Sequence, residues 1–295
     1  MAVSHAEVRG GPLDIDGGAF AENFSRHPFP VRHSLAEHPL LTLDALAELA
    51  DRLPLRSIER HRADLDLMTP GGAPDVQGPP SQTVREIDTA NTWMVLWYIE
   101  QDPAYKALLD ECLDEVERYV GDRHGGMQYR RGYIFISAPN ATTPVHFDPE
   151  QNLLLQIRGH KEMNVGRFAD PADQQAELDR YFDGGHRNLD RMPDLERQFV
   201  MDPGDGVYVY PFAPHWVRNS PVPSISLSIT FRTEESLRDE RIRHVNARLR
   251  RLHLSPRPPG ASRWRDELKA QVFDTARRLR GHRGDTEHGN GGTSS

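Results

Sequence analysis

From residue 127 to 234 the apolar positions fall in short runs rich in β-branched and aromatic side chains, each bounded by Pro, Gly or Asn. The runs Gln128–Ser137, Pro144–Phe147, Asn152–Ile157, Lys161–Phe168, Gln198–Met201, Gly206–Tyr210, Trp216–Asn219 and Ser224–Arg232 predict eight strands. That density of short strands predicts a mainly β domain, an antiparallel barrel or sandwich with jelly-roll connections.

Helical spacing governs the flanks. Thr42 precedes Leu43, Leu46, Ala47, Ala50 and Leu53, with Pro54 as the stop, which predicts a short amphipathic helix. Asn91–Ile99 reads as a strand, and Pro103–Val120 as a helix carrying Tyr105, Leu108, Leu109, Cys112, Leu113 and Val116 on one face. Met68–Gln82, crowded with Pro and Gly, is expected to be a long loop, either a flap over a site or a linker. The polar stretch 169–196, with eight acidic against three basic residues and a helical pattern near Gln174–Phe182, interrupts the strands as a candidate lid.

After the strands, Ile242, Val245, Leu249 and Leu252 form one apolar stripe, and Trp264, Leu268, Val272, Ala276 and Leu279 a second. Two such helices must bury their stripes, and a second copy of the chain is a natural cover, so a homodimer is expected through them. The resulting division is a flexible N-terminal arm (1–35), a helical and strand region packed on the barrel (36–126), the barrel with its insertion (127–234), a C-terminal helix pair (235–283) and a disordered tail (284–295).

Composition narrows the setting. The chain has 295 residues, enough for a sizeable core without staples. A lone cysteine, Cys112, forms no intrachain disulfide, and no secretory leader pattern opens the sequence, so a cytoplasmic protein is expected. The longest apolar run, Trp93–Ile99, is far too short to span a bilayer. Residues 236–283 carry 14 Arg and Lys against five acidic residues, within a chain of net charge −8. Docking of this basic segment on the acidic remainder, or plain solvation, explains the asymmetry more cheaply than nucleic acid, for which no motif is present.

The candidate chemistry begins at His146-Phe147-Asp148. A single H-x-D triplet is what chance delivers at this composition, so its context must carry the argument. On a strand, residues i and i+2 share a face, which lets imidazole and carboxylate enter the barrel together. His215 is the third candidate, at the start of a strand that follows a Gly-rich turn, a strand and a prolyl turn (Pro203 to Asn219). Two His and one carboxylate make a facial triad suited to Fe(II), with three adjacent positions left open. Lys161 is one of only three lysines among 36 basic residues. Inside a strand pattern, its slender ammonium suits a carboxylate deep in a narrow barrel.

The stretch Thr143-Pro-Val-His146-Phe-Asp148-Pro-Glu-Gln-Asn152-Leu-Leu-Leu-Gln-Ile-Arg-Gly159-His-Lys161 resembles the core of the JmjC and cupin-like 2-oxoglutarate oxygenases, the group containing the asparaginyl hydroxylase of hypoxia-inducible factor. The likeness resumes from Pro203 to Phe231. It implies a double-stranded β-helix with N-terminal α/β elements and a C-terminal helix pair. His146, Asp148 and His215 would be the iron ligands, Lys161 and Thr143 the partners of the distal carboxylate of 2-oxoglutarate, and Asn152 a residue of its pocket. The family places an asparagine where Thr230 stands here, a contact that Asn219 or Ser228 would have to supply; Tyr98 is the nearest candidate for a family tyrosine contributed before the barrel.

The implied cofactors are Fe(II), 2-oxoglutarate as co-substrate and O₂. The implied reaction is hydroxylation of an unactivated C–H bond in a peptide or protein side chain or a small metabolite, with release of succinate and CO₂. The alternative is a non-catalytic cupin-like sensor that binds a small ligand in the barrel. It has no reason to keep two His, one Asp and an interior Lys together.

Overall fold

Two facing antiparallel sheets make up the body of the computed structural model, which describes residues 11–69, 78–121 and 124–279. The larger sheet runs in the order β1 (Leu13–Asp14), β2 (Phe29–His33), β10 (Asp205–Val209), β7 (Gln151–Arg158), β12 (Ser224–Thr233), β5 (Met127–Ser137), β4 (Thr92–Trp97), β3 (Ile58–Arg62). The smaller is β6 (Thr142–His146), β11 (His215–Asn219), β8 (Lys161–Arg167), β9 (Asp194–Met201). All eight strands expected between 127 and 234 form, and the fold is a jelly roll.

The period-2 alternation of β12 shows how the layers are built. Ile225, Leu227, Ile229 and Phe231 point outward into the main apolar core, which α2 (Leu43–Arg52) and α4 (Pro103–Val120) cover. Ser224, Ser226, Ser228 and Thr230 point the other way, between the sheets. Buried hydroxyls need partners. Ser226 Oγ donates to Gln156 Oε1 at 2.7 Å, and Ser228 Oγ to Asn152 Oδ1 at 2.8 Å. A second apolar cluster fills the barrel, with Leu154, Val207 and Val209 from the larger sheet and Met163, Val165, Phe199, Met201 and Val217 from the smaller.

The N-terminal segment departs from the expectation of a flexible arm. Residues 11–35 are ordered, with Phe20, Phe24, Phe29 and Val31 in the main core and β2 hydrogen-bonded along β10. Rings of α1 (Gly17–Asn23) and β2 stack in series: Phe20 on Phe24 at 4.5 Å, Phe29 on Tyr208 at 4.6 Å. The elements are too short, and Pro30 too disruptive of the alternation, for periodicity to reveal them. Residues 1–10 and the expected tail 284–295 lie outside the described residues. Of the expected loop 68–82, residues 70–77 lie outside the described residues; its last residues are helical, since α3 (Pro80–Arg85) starts there, with Pro80 in the first turn, where its missing N–H costs nothing.

The insertion folds as α5 (Pro171–Phe182) and a return segment that leads into β9. Phe182, Leu178 and Leu189 from it pack with Val145, Phe147, Phe212, Trp216 and Ala247 over the outer face of the smaller sheet. Ala247 belongs to α6 (Glu234–Arg251), whose arginines dock on the insertion's acids: Arg250 meets Asp179 at 2.7 Å, and Arg251 pairs with Asp183. α7 (Arg263–Leu279) buries Asp266 and Ala270 and leaves Trp264, Leu268 and Val272 more than half exposed. No helix among the described residues is long and apolar enough to cross a membrane.

Candidate active site

β6 and β11 pair so that His215 lies directly opposite His146. β6 ends at His146, and Phe147 and Asp148 continue past it, which returns the Asp148 carboxylate to the imidazole side. Asp148 Oδ2 stands 3.5 Å from His215 Nε2 and 3.8 Å from His146 Nε2. One donor atom from each of the three residues falls within 4.8 Å of the others. The backbone fixes both rings: His146 Nδ1 donates to the Pro144 carbonyl at 2.8 Å and His215 Nδ1 to the Ala213 carbonyl at 2.9 Å. A carbonyl only accepts, so each Nδ1 carries the proton and each Nε2 turns its lone pair toward Asp148. Burial, reinforced by His215, lowers the His146 pKa to about 3, which keeps the imidazole neutral. Two imidazole nitrogens and one carboxylate oxygen converging on one point form the donor set of a 2-His-1-carboxylate centre, and this geometry fits ferrous iron.

Reading of the sequence missed Arg187. It comes from the return segment of the insertion, and its Nη1 donates to Asp148 Oδ1. Burial opposes the charge on Asp148, but the Arg187 guanidinium overcomes it and holds the carboxyl well below the usual carboxylate range. The guanidinium also lies 5.6 Å from the Trp97 ring.

The barrel lumen collects most of the other candidates. Lys161 shares a face with Met163 and Val165, which belong to the cluster between the sheets, and is buried. Among the described residues no acceptor pairs with its ammonium, and burial lowers its pKa to about 7. Thr143 pairs with Val217 and Asn219 with Lys161 across the smaller sheet, so both lie on the lumen face. Asn152 and Thr230 are cross-strand partners on the larger sheet. Asn219 is less available than the sequence reading required, because its Nδ2 donates to the Ala141 carbonyl at 2.8 Å. Tyr98 sits past the end of β4 in a left-handed conformation, with Arg131 5.0 Å above its ring. The tyrosine in the lumen is instead Tyr133, opposite Ser228 on β5, with its hydroxyl toward Thr230. Alternation along β5 was the signal available for it: Ile134 and Ile136 point into the main core, so Tyr133 and Phe135 point inward.

Residues 127–238 match the JmjC domain family. Comparison with curated proteins finds no match. The fold is similar to that of Escherichia coli YcfD, at 16% identity and a TM-score of 0.53, over 92% of this chain and 70% of that one. A second structure, described as YcfD, a ribosomal oxygenase from Escherichia coli in complex with cobalt and 2-oxoglutarate, aligns at 16% identity and a TM-score of 0.50 over 92% and 69%. Asp148 and the strands that carry His146 and His215 all fall within the matched segment, so the candidate site lies in the part of the chain that matches the JmjC domain.

Proposed function

We propose that the protein is an Fe(II)- and 2-oxoglutarate-dependent oxygenase that hydroxylates an unactivated C–H bond. His146, Asp148 and His215 would hold the iron. With the metal and co-substrate bound, O₂-dependent decarboxylation of 2-oxoglutarate to succinate and CO₂ supplies the oxidant for C–H hydroxylation. Lys161 meets the distal carboxylate of the co-substrate, Thr143 and the Tyr133–Thr230 pair flank it, and Asn152 shapes the pocket. The single observation that carries the reading is the pairing of a convergent His-Asp-His set with a buried lysine that lacks an anion in the same barrel. A buried ammonium without a partner is costly, and a dicarboxylate that chelates at one end and reaches Lys161 at the other removes that cost.

A protein side chain is the proposed substrate class, supported by the fold shared with a ribosomal oxygenase. The unpartnered stripe of α7 supports a homodimer, and the absence of a disulfide pair fits a cytoplasmic setting.

Anaerobic titration with Fe(II) and 2-oxoglutarate tests the reading. The expected result is the weak visible charge-transfer band of the iron chelate, diminished in Lys161→Ala. Folded, iron-loaded protein without the band would favour a ligand-binding sensor.

A further inference from the structure

The two oxygens of Asp148 face different partners. Oδ2 looks toward both imidazole Nε2 atoms, at 3.5 and 3.8 Å, whereas Oδ1 takes the Arg187 guanidinium. We propose that Arg187 is a positioning residue that holds Asp148 in a one-oxygen binding mode, so that three coordination positions stay open on the metal. This inference rests on the iron reading given above.

Carboxylates bind cations through one oxygen or two, and a free Asp148 has nothing to stop it turning both toward a divalent ion. A second metal–oxygen contact would occupy one of the three positions that a chelating co-substrate and O₂ together require. A planar guanidinium on Oδ1 removes that option, because it engages the outer oxygen through a charge-assisted hydrogen bond.

Arg187 is itself held firmly. Phe147 N donates to the Arg187 carbonyl at 3.2 Å, and Leu189 N to the Val145 carbonyl at 3.1 Å, so residues 187–189 run as an added strand beside β6 and bridge at His146–Asn188. The segment that carries the guanidinium is therefore registered against the strand that carries the first ligand. Trp97 lies under the guanidinium, and the charges of Glu150 and Glu59 add to that of Asp148 in favouring its charged form. Each of those acids has a second partner, Glu150 in Arg232 at 2.8 Å and Glu59 in His61, so they steady Arg187 without drawing it off Asp148.

The test uses the full chain loaded anaerobically with Co(II), comparing wild type, Arg187→Gln and Arg187→Lys. The readouts are the visible Co(II) d–d spectrum and the dissociation constant for 2-oxoglutarate. Expected is cobalt binding in all three proteins, an altered d–d spectrum in Arg187→Gln, affinity for 2-oxoglutarate lowered about tenfold or more, and partial recovery in Arg187→Lys. A spectrum and affinity unchanged in Arg187→Gln would overturn the proposal. So would loss of cobalt from that variant, which would make Arg187 a requirement for the metal rather than for its open positions. Failure of wild type to bind cobalt or 2-oxoglutarate would instead sink the iron reading, and this inference with it.

Discussion

His146 and His215 face each other across an antiparallel strand pair, with ring centroids 4.2 Å apart and each Nδ1 tied to a carbonyl of its own strand end. The two Nε2 lone pairs are thereby aimed before any ion arrives, and no side-chain reorganisation is needed to bind one. The arrangement predicts that His146→Ala or His215→Ala removes metal-dependent stabilisation. Fe(II) or Co(II) should raise the melting temperature of wild type and leave either variant unmoved, because a ligand stabilises only the state that binds it. An equal rise in all three proteins would place the ion elsewhere.

Lys161 gives the site a pH dependence whose sign follows from its burial. Its pKa falls from 10.5 toward about 7 in the folded protein. Between those values the unfolded chain holds a proton that the folded one lacks, so this group makes the ligand-free protein more stable as pH rises through that window. Binding of a dicarboxylate has the opposite slope, because it needs the ammonium. Affinity for 2-oxoglutarate should fall by up to about tenfold per unit above pH 7. Calorimetric titration in two buffers of different ionisation enthalpy would reveal the proton taken up. Lys161→Ala should abolish both the uptake and the slope; persistence of either would assign them to another group.

How much was visible in the sequence depends on how local each signal is. The eight strands, the H-x-D spacing and the lone interior lysine are patterns within a few residues of chain, and they could be read directly. Arg187 could not, because it reaches Asp148 only through the register of residues 187–189 beside β6, 39 positions away in sequence. Tyr133 went unnoticed because its inward orientation depends on which face of β5 meets Ser228. Phe20, Phe24 and Phe29 were hidden for a different reason: elements of seven and five residues are too short to show a period, and their burial comes from β10 and α4.

The outward stripe of α7 carries a prediction about assembly. Trp264, Leu268 and Val272 are 66%, 53% and 51% exposed, and Leu252 and Leu254 are also open at the α6–α7 turn. Neighbouring large apolar side chains on one face are the usual mark of a contact surface. A homodimer closed by this face predicts that the double variant Trp264→Glu, Leu268→Glu halves the mass seen by light scattering with the far-ultraviolet spectrum unchanged. An unaltered mass would remove this face as the interface.

The turn that launches Lys161 is a second place where a small change should be felt at the site. Gly159 joins β7 to β8 at φ +72°, and a Cβ there would lie 2.2 Å from the Pro223 carbonyl oxygen and 3.2 Å from Ser224 Cα. Both neighbours are backbone, so no side chain can swing away, and the hairpin would have to move off β12. Gly184 also has a positive φ, +96°, but a Cβ there meets nothing within 4 Å. Gly184→Ala should therefore cost only conformational strain, about 1 kcal/mol. Gly159→Ala should cost about 3 kcal/mol in urea unfolding, since overpacking adds to the strain. Because Gln156 Nε2 donates to the Arg158 and Gly159 carbonyls and fixes the turn from inside the barrel, the displaced hairpin should also weaken 2-oxoglutarate binding, which Gly184→Ala should leave intact. Equal losses of stability in the two variants would show that the β7–β8 turn yields freely and that Lys161 is positioned by β8 alone.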